Sequence, residues 1–118
     1  MSEKIFWILE TEITGDLDSL KSLMNEMSDF TKSGEPDALN YEWFISEDNK
    51  YCTLFERYKD SPAAVIHVNS FMKNFAGRFM TLLKPKKFAV YGNPDADLKK
   101  MLDNMKAVYN PVLGGFLR

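Results

Sequence analysis

The stretch from Tyr41 to Val68 constrains the fold most, because it holds two strand-like segments, a polar turn and a helix start with almost no residues between them. The segments Tyr41 to Ser46 and Tyr51 to Tyr58 are rich in aromatic and β-branched residues. The polar residues between them, Glu47 to Lys50, are typical of a hairpin loop. The pattern therefore predicts two antiparallel strands joined by a tight turn.

A helix is predicted directly after the hairpin. Ser61 can accept hydrogen bonds from the first free amides of a helix, and Pro62 suits the first helical position because it has no amide hydrogen to leave unpaired. The predicted helix runs from Pro62 to about Leu83, with Gly77 as a break that could divide it into two. Its apolar stripe consists of Ala64, Val68, Phe71, Met72, Phe75, Phe79 and Leu82.

The N-terminal region predicts a strand and a helix. Lys4 to Glu12 contains five consecutive large apolar residues, which is typical of a strand covered on both faces and so of a central strand. Asp16 is a plausible N-cap, and apolar residues at helical spacing predict a helix over Leu17 to Lys32. This part of the chain therefore predicts a β-α unit ahead of the hairpin.

The C-terminal third predicts a fourth strand, a third helix and an irregular tail. Phe88 to Gly92 is short and β-prone, and Asn93 or Pro94 opens a helix whose apolar side is expected to pack back on the domain. The tail, Tyr109 to Arg118, contains Asn-Pro and Gly-Gly and is expected to be irregular.

The predicted element order is β-α-β-β-α-β followed by a C-terminal helix. This order is the α+β, ferredoxin-like arrangement, in which helices cover one face of a four-stranded antiparallel sheet. We expect one domain over residues 1–118, with a common core at about 4–92 and a C-terminal addition at 93–118. Because strands 1 to 3 carry large apolar residues on both faces, a second copy of the chain is the simplest cover for the other sheet face, which predicts a homodimer.

Composition excludes several kinds of partner and site. The net charge of −2 gives no electrostatic reason to expect nucleic acid or an anionic membrane. One cysteine, Cys52, excludes an internal disulfide, and with the single histidine it cannot make a closed zinc site without carboxylate help, so no metal is expected. The N-terminal segment starts polar and is interrupted by glutamates, so neither a signal peptide nor a spanning helix is expected. These features predict a cytoplasmic protein.

The strand, turn, strand and helix pattern resembles a known family. The residues that carry the resemblance are Glu35-Pro36, Tyr41-Glu42-Trp43-Phe44, Phe55-Glu56-Arg57-Tyr58, Ser61, Ala63-Ala64, His67, Phe71 and Phe75. They are similar to the antibiotic biosynthesis monooxygenase-like superfamily of dimeric α+β barrels, which includes quinol monooxygenase-like proteins. The resemblance covers about Ile5 to Tyr91, and the C-terminal helix and tail lie outside it.

The resemblance implies oxygenation of a small electron-rich phenol or quinol without a cofactor. Such chemistry needs a base for the phenolic proton, donors for the resulting anion and a dry aromatic pocket. The haem-degrading branch places an asparagine on the first strand, whereas this chain has no amide within Ile5 to Leu9, so haem degradation is not expected. Because the superfamily mixes several activities, a homodimer that binds a small ligand without turnover is the alternative.

Three residues are candidates for the chemistry. His67 titrates near neutral pH and is a candidate base, although on a helix beside Val65, Ile66 and Val68 it could equally be a hydrogen-bonded structural residue. Glu56 could orient His67, as a carboxylate orients an imidazole, or pair with a cation at the sheet edge, and the ion pair is favoured. Tyr58 shares a strand face with Glu56 and is the third candidate.

Four aromatic residues are candidates to bind the substrate. Tyr41 and Trp43 could line an aromatic pocket, although aromatic residues on strands are more often cross-strand core pairs. Phe71 and Phe75 join them through the resemblance and through their place on the helix that carries His67. Cys52 is expected to be an inert buried thiol.

Overall fold

The computed structural model describes residues 3–118 and contains one five-stranded sheet with four helices on one side. The elements in chain order are β1 (Ile5–Ile13), α1 (Leu17–Gly34), β2 (Ala38–Ile45), β3 (Tyr51–Tyr58), α2 (Ser61–Asn74), α3 (Ala76–Leu82), β4 (Leu83–Tyr91), α4 (Ala96–Asp103) and β5 (Val108–Asn110). The strand order is β2-β3-β1-β4-β5, so β1 is central, as its apolar run predicts.

The sheet differs from the four-stranded antiparallel prediction by one parallel edge strand. β5 pairs with Ala89 to Tyr91 of β4, and two of its residues, Tyr109 and Asn110, lie in the tail that was expected to be irregular. The amide of Gly92 donates to the carbonyl of Asn110 over 3.0 Å, and the Asn110 side chain donates to the carbonyl of Val90 over 3.2 Å. Backbone groups at the free edge of β4 are therefore hydrogen-bonded by a short segment. This strand was not predicted because the Asn-Pro sequence at its end is typical of a turn.

The region between α2 and β4 also differs from prediction. The helix divides at Phe75 rather than at Gly77, and β4 begins at Leu83 instead of Phe88. Pro85 lies inside β4, beside a register shift between Glu10 and Thr11 of β1. The outer edge of β4 is unpaired at this level, because β5 covers only its far end, and a proline is tolerated there.

Aspartates cap three of the helices. Asp16 caps α1 as predicted, accepting from the amide of Ser19 over 2.8 Å. The cap of α2 is Asp60 rather than Ser61, and α4 begins after the cap Asp95 rather than at Asn93 or Pro94. The Ser61 hydroxyl instead accepts from the amide of Asp95 over 3.0 Å, so it ties the start of α2 to the start of α4.

The C-terminal segment packs only in part. Leu98 and Leu102 of α4 are fully buried, as its apolar stripe predicts. Phe116 and Leu117 near the end of the tail, which as large apolar residues are costly to expose together, remain exposed. Among the helices of residues 3–118, none has the length and hydropathy needed to cross a bilayer. Met1 and Ser2, which begin the segment expected to lack a signal peptide, lie outside the described residues.

Candidate functional site

Three elements bring a group of polar side chains together under the helices. Glu56 and Tyr58 are two residues apart on β3, so both point to the helix-covered face. His67 lies on the inner side of α2, and Glu35 follows the last residue of α1 as its C-cap. All four side chains are buried in an otherwise apolar layer. We refer to Glu35, Glu56, Tyr58 and His67 as the carboxylate–histidine cluster.

Both ring nitrogens of His67 contact a carboxylate. Nδ1 lies 2.9 Å from Oε1 of Glu35, and Nε2 lies 3.1 Å from Oε1 of Glu56. The Tyr58 hydroxyl donates to the same Glu56 oxygen over 2.6 Å. Both contacts of Glu56 thus use Oε1, so its Oε2 is the oxygen left for another donor.

The two carboxylates decide the charge of His67. Burial disfavours the imidazolium, but hydrogen bonds and Coulomb attraction from Glu35 and Glu56 outweigh it and raise the pKa of His67 to about 9. Burial, together with the nearby carboxylates, raises the pKa of Tyr58 well above its ordinary value, so its hydroxyl stays protonated and acts as a donor. Burial likewise raises the pKa of Tyr41. At neutral pH the cluster holds one imidazolium between two carboxylate side chains.

A cavity of about 520 Å³ lies beside this cluster. Glu56 and His67 form part of its wall, and Tyr41 stands next to them, with its ring centroid 5.4 Å from that of His67. Apolar side chains form most of the remaining wall, including Trp7, Leu54, Phe71, Phe79 and Met105. An apolar cavity of this size with a few convergent polar groups is typical of a small-molecule site.

The predicted site residues divide into two groups. His67, Glu56, Tyr41 and Phe71 line the cavity, and Tyr58 supports Glu56 from behind. The contacts of Trp43 and Phe75 are with other aromatic rings rather than with the cavity. Trp43 packs edge-on against Phe79, and Phe75 packs edge-on against Phe30. The functional roles of all seven residues stay predictions.

Sequence reasoning missed Glu35 as a site residue. It falls in the turn after α1, where Glu-Pro indicates a helix end. One signal was available: a carboxylate at a helix C-terminus is disfavoured by the helix dipole, so its presence there needs a reason. Trp7 of β1 was also missed, because in a run of five apolar residues nothing distinguishes the one that faces a cavity.

The other face of the sheet carries aromatic residues with no helix over them. Phe6, near the start of the central strand β1, is stacked between Phe55 and Tyr91 at centroid distances of 5.6 and 4.8 Å. The Arg57 guanidinium lies over the Phe6 ring at 5.3 Å, and its Nε is buried with no hydrogen-bond partner among residues 3–118. We call Phe6, Phe55, Arg57 and Tyr91 the open-face aromatic row.

Comparison with known proteins identifies the fold. No protein-family model and no curated protein matches the chain. Among solved structures, MupZ from Pseudomonas fluorescens is 20% identical, with a TM-score of 0.76 over 99% of this chain and 96% of MupZ. SnoaB, a cofactor-independent oxygenase from Streptomyces nogalater, is 10% identical, with a TM-score of 0.67 over 80% of this chain and 97% of SnoaB.

A third structure carries the family name. It comes from Caulobacter crescentus under the provisional name antibiotic biosynthesis monooxygenase, and it is 15% identical, with a TM-score of 0.62 over 75% of this chain and 86% of its own. The chain has the antibiotic biosynthesis monooxygenase-like fold. The resemblance seen in the sequence is thus confirmed at the level of fold, which MupZ matches through the C-terminal segment as well.

Proposed function

We propose that the protein is a monooxygenase that oxidises a small aromatic phenol or quinol without a cofactor. The observation that carries the proposal is the apolar cavity whose polar end consists of Glu56, His67 and Tyr41. An aromatic ring fits the apolar wall, and its hydroxyl can meet a proton acceptor at that end. SnoaB, which shares the fold, is named as a cofactor-independent oxygenase, and this supports the reaction class.

The reaction balances with dioxygen as the only oxidant. A phenol with a free ring carbon and one dioxygen give a quinone and one water. The phenolic proton passes to the carboxylate–histidine cluster as an electron passes to dioxygen, and the two radicals join in a carbon–oxygen bond. Loss of the ring proton then breaks the oxygen–oxygen bond. The cluster returns its proton, so both hydrogens leave in water.

The charge of the cluster favours coupled transfer of proton and electron. Two carboxylates around one imidazolium would repel a phenolate formed ahead of oxidation. A phenol that loses an electron becomes a much stronger acid, so its proton moves to a nearby acceptor with little cost. The buried Tyr58 hydroxyl holds the acceptor in place during this step.

We also propose that the protein is a homodimer joined through the open-face aromatic row. An antiparallel sheet with helices on one side only leaves its second face to water, unless another chain covers it. Phe44 and Ile8 extend the row, so the apolar patch crosses several strands.

The direct test is oxygen uptake by purified protein with hydroquinones, naphthols and polyphenols. Wild type should exceed the autoxidation of at least one substrate, and Tyr41→Phe, Tyr58→Phe and His67→Ala should lower the rate. Loss of general acid–base catalysis typically costs about 100- to 10,000-fold. Glu47→Gln removes a charge from the exposed hairpin turn and is the matched control. Absence of uptake across the whole panel would favour the non-catalytic, ligand-binding alternative.

A further inference from the structure

With both glutamates ionised, the two short contacts of His67 require a protonated ring. A neutral imidazole carries one N–H, so it can donate to only one of two carboxylates. Its other nitrogen would then present a lone pair to a carboxylate oxygen at hydrogen-bond distance. Only an imidazolium donates to Glu35 over 2.9 Å and to Glu56 over 3.1 Å at once. With both hydrogens engaged, His67 has no lone pair with which to accept a substrate proton.

Glu35 has no polar side-chain partner but His67 within residues 3–118. Its Oε1 contacts Nδ1, and its Oε2 is buried without a hydrogen-bond partner among these residues. Burying a carboxylate costs free energy, and Glu35 also lies at the C-terminal end of α1, where the helix dipole disfavours a negative charge. If the side chain at position 35 only filled space, an apolar residue there would make the protein more stable. We therefore infer that the charge of Glu35 serves the contact with His67.

We propose that Glu35 is a positioning residue that keeps His67 protonated, so that His67 fixes Glu56, and that Glu56 is the cavity-facing group that accepts the substrate proton. The last step rests on the proposed function, whereas the role of Glu35 toward His67 does not. His67 and Tyr58 both donate to Oε1 of Glu56. The carboxylate is thereby held in one orientation, with Oε2 available to a ligand hydroxyl.

The arrangement also defines the ligand class. Glu35 and Glu56 outnumber the single imidazolium, so the polar end of the cavity carries a net negative charge. A ligand that presents an anion there is repelled, whereas a neutral hydroxyl donates a hydrogen bond to a charged acceptor. The site therefore selects neutral aromatic hydroxyl compounds over aromatic carboxylates of the same size.

The role of Glu35 can be tested without any ligand, because His67 is the only histidine of the chain and its imidazole NMR signals need no assignment. In wild type the signals should titrate with a pKa of about 9. Glu35→Gln should lower that pKa by about one unit or more, since one of two neighbouring charges is lost. Glu47→Gln should leave it unchanged. A wild-type pKa near that of free histidine, or equal values in wild type and Glu35→Gln, would overturn the proposal.

A conservative variant covers the case in which Glu35→Gln does not fold. Glu35→Asp keeps the charge but draws it back from Nδ1, so the pKa of His67 should fall between the wild-type value and that of free histidine. Tautomer-sensitive ring nitrogen shifts should show both nitrogens protonated at pH 7 in wild type. Detection of a neutral tautomer as the main species at pH 7 would contradict the proposal even if no variant folds.

The role of Glu56 is tested by binding of three bicyclic probes. 2-Naphthol should bind wild type about 10-fold or more tightly than 2-methoxynaphthalene, because it donates to a charged acceptor, and 2-naphthoate should bind weakest. Glu56→Gln should remove most of the preference for the hydroxyl. A preference that survives in Glu56→Gln would place the acceptor elsewhere. If none of the probes binds, the proposed function fails, while the His67 titration still decides the role of Glu35.

Discussion

Side chains alternate between the two faces of the sheet, and the two faces differ in what they can bind. On the helix-covered face, neighbouring strands place Trp7 opposite Glu56, and on the open face they place Phe6 opposite Arg57. On each face an ionisable side chain thus lies beside an aromatic ring. The difference is what lies above them. Helices lie over a cavity on the first face, whereas no helix lies over the second, where residues of the C-terminal tail such as Phe116 line a smaller cavity together with Phe6 and Tyr91. We infer a ligand site on one face and a subunit contact on the other.

The largest expected effect comes from a charge in the open-face aromatic row. Phe6→Asp removes the ring stacked between Phe55 and Tyr91 and adds a charge that association would bury. Central aromatic anchors of an interface typically contribute about 2 to 4 kcal/mol, which is about 30- to 1,000-fold in the dimer dissociation constant. Sedimentation over a range of concentrations measures this change.

The same variant tests whether the two faces are independent. Its single histidine should titrate as in wild type, because Phe6 points away from the carboxylate–histidine cluster. Ile66→Asp adds the same charge on the exposed outer side of α2 and should leave association unchanged. If wild-type protein is monomeric at micromolar concentration, the open-face aromatic row does not form a subunit contact.

Much of this two-faced architecture is predictable from local sequence. The positions of β1, α1 and the hairpin follow from the spacing of apolar residues, an N-cap at Asp16 and a polar turn. Their predicted bounds agree with the structure to within three residues. The fifth strand is different, because its three residues gain their strand character from the free edge of β4. No signal within Val108–Asn110 itself reports the presence of that edge.

The second expected effect concerns stability and pH. The folded pKa of His67 is about 9, above its ordinary value of 6.5, so its stabilising contribution is complete below about pH 6.5 and is lost as pH rises toward 9. Between these limits the free energy of unfolding should fall by up to about 1.4 kcal/mol per pH unit. Urea unfolding at fixed protein concentration measures the slope.

His67→Gln is the reference for this slope, because it removes the titrating group and keeps a side chain that can donate. Its free energy of unfolding should vary less across the same pH range. Parallel curves for wild type and His67→Gln would mean that the carboxylates do not hold the proton on His67. The open face has no role in this titration, so Phe6→Asp should retain the wild-type slope.

The site was less predictable than the fold, and the reason is long-range geometry. The sequence singles out His67 because it is unique and Glu56 because it shares a strand face with Tyr58. Their contact depends on how α2 crosses the sheet, and the partner Glu35 lies 32 positions before His67 in the chain. Propensity and spacing describe neighbours along the chain, so they cannot indicate which of 17 acidic residues faces the one histidine.

The smallest expected effect separates the aromatic residues that touch the cavity from those that only support its wall. Phe71 lines the cavity, whereas Trp43 packs behind Phe79. Phe71→Ala removes apolar contact with a bound ring and should weaken 2-naphthol binding by about 5- to 30-fold, the equivalent of about 1 to 2 kcal/mol. Trp43→Phe keeps the edge-on packing and should change the affinity by less than about twofold. Equal losses in both variants would mean that the ligand lies nearer to β2 than the cavity indicates. Because neither residue belongs to the open face, a change in dimer dissociation in either variant would show that the two faces are coupled through the sheet.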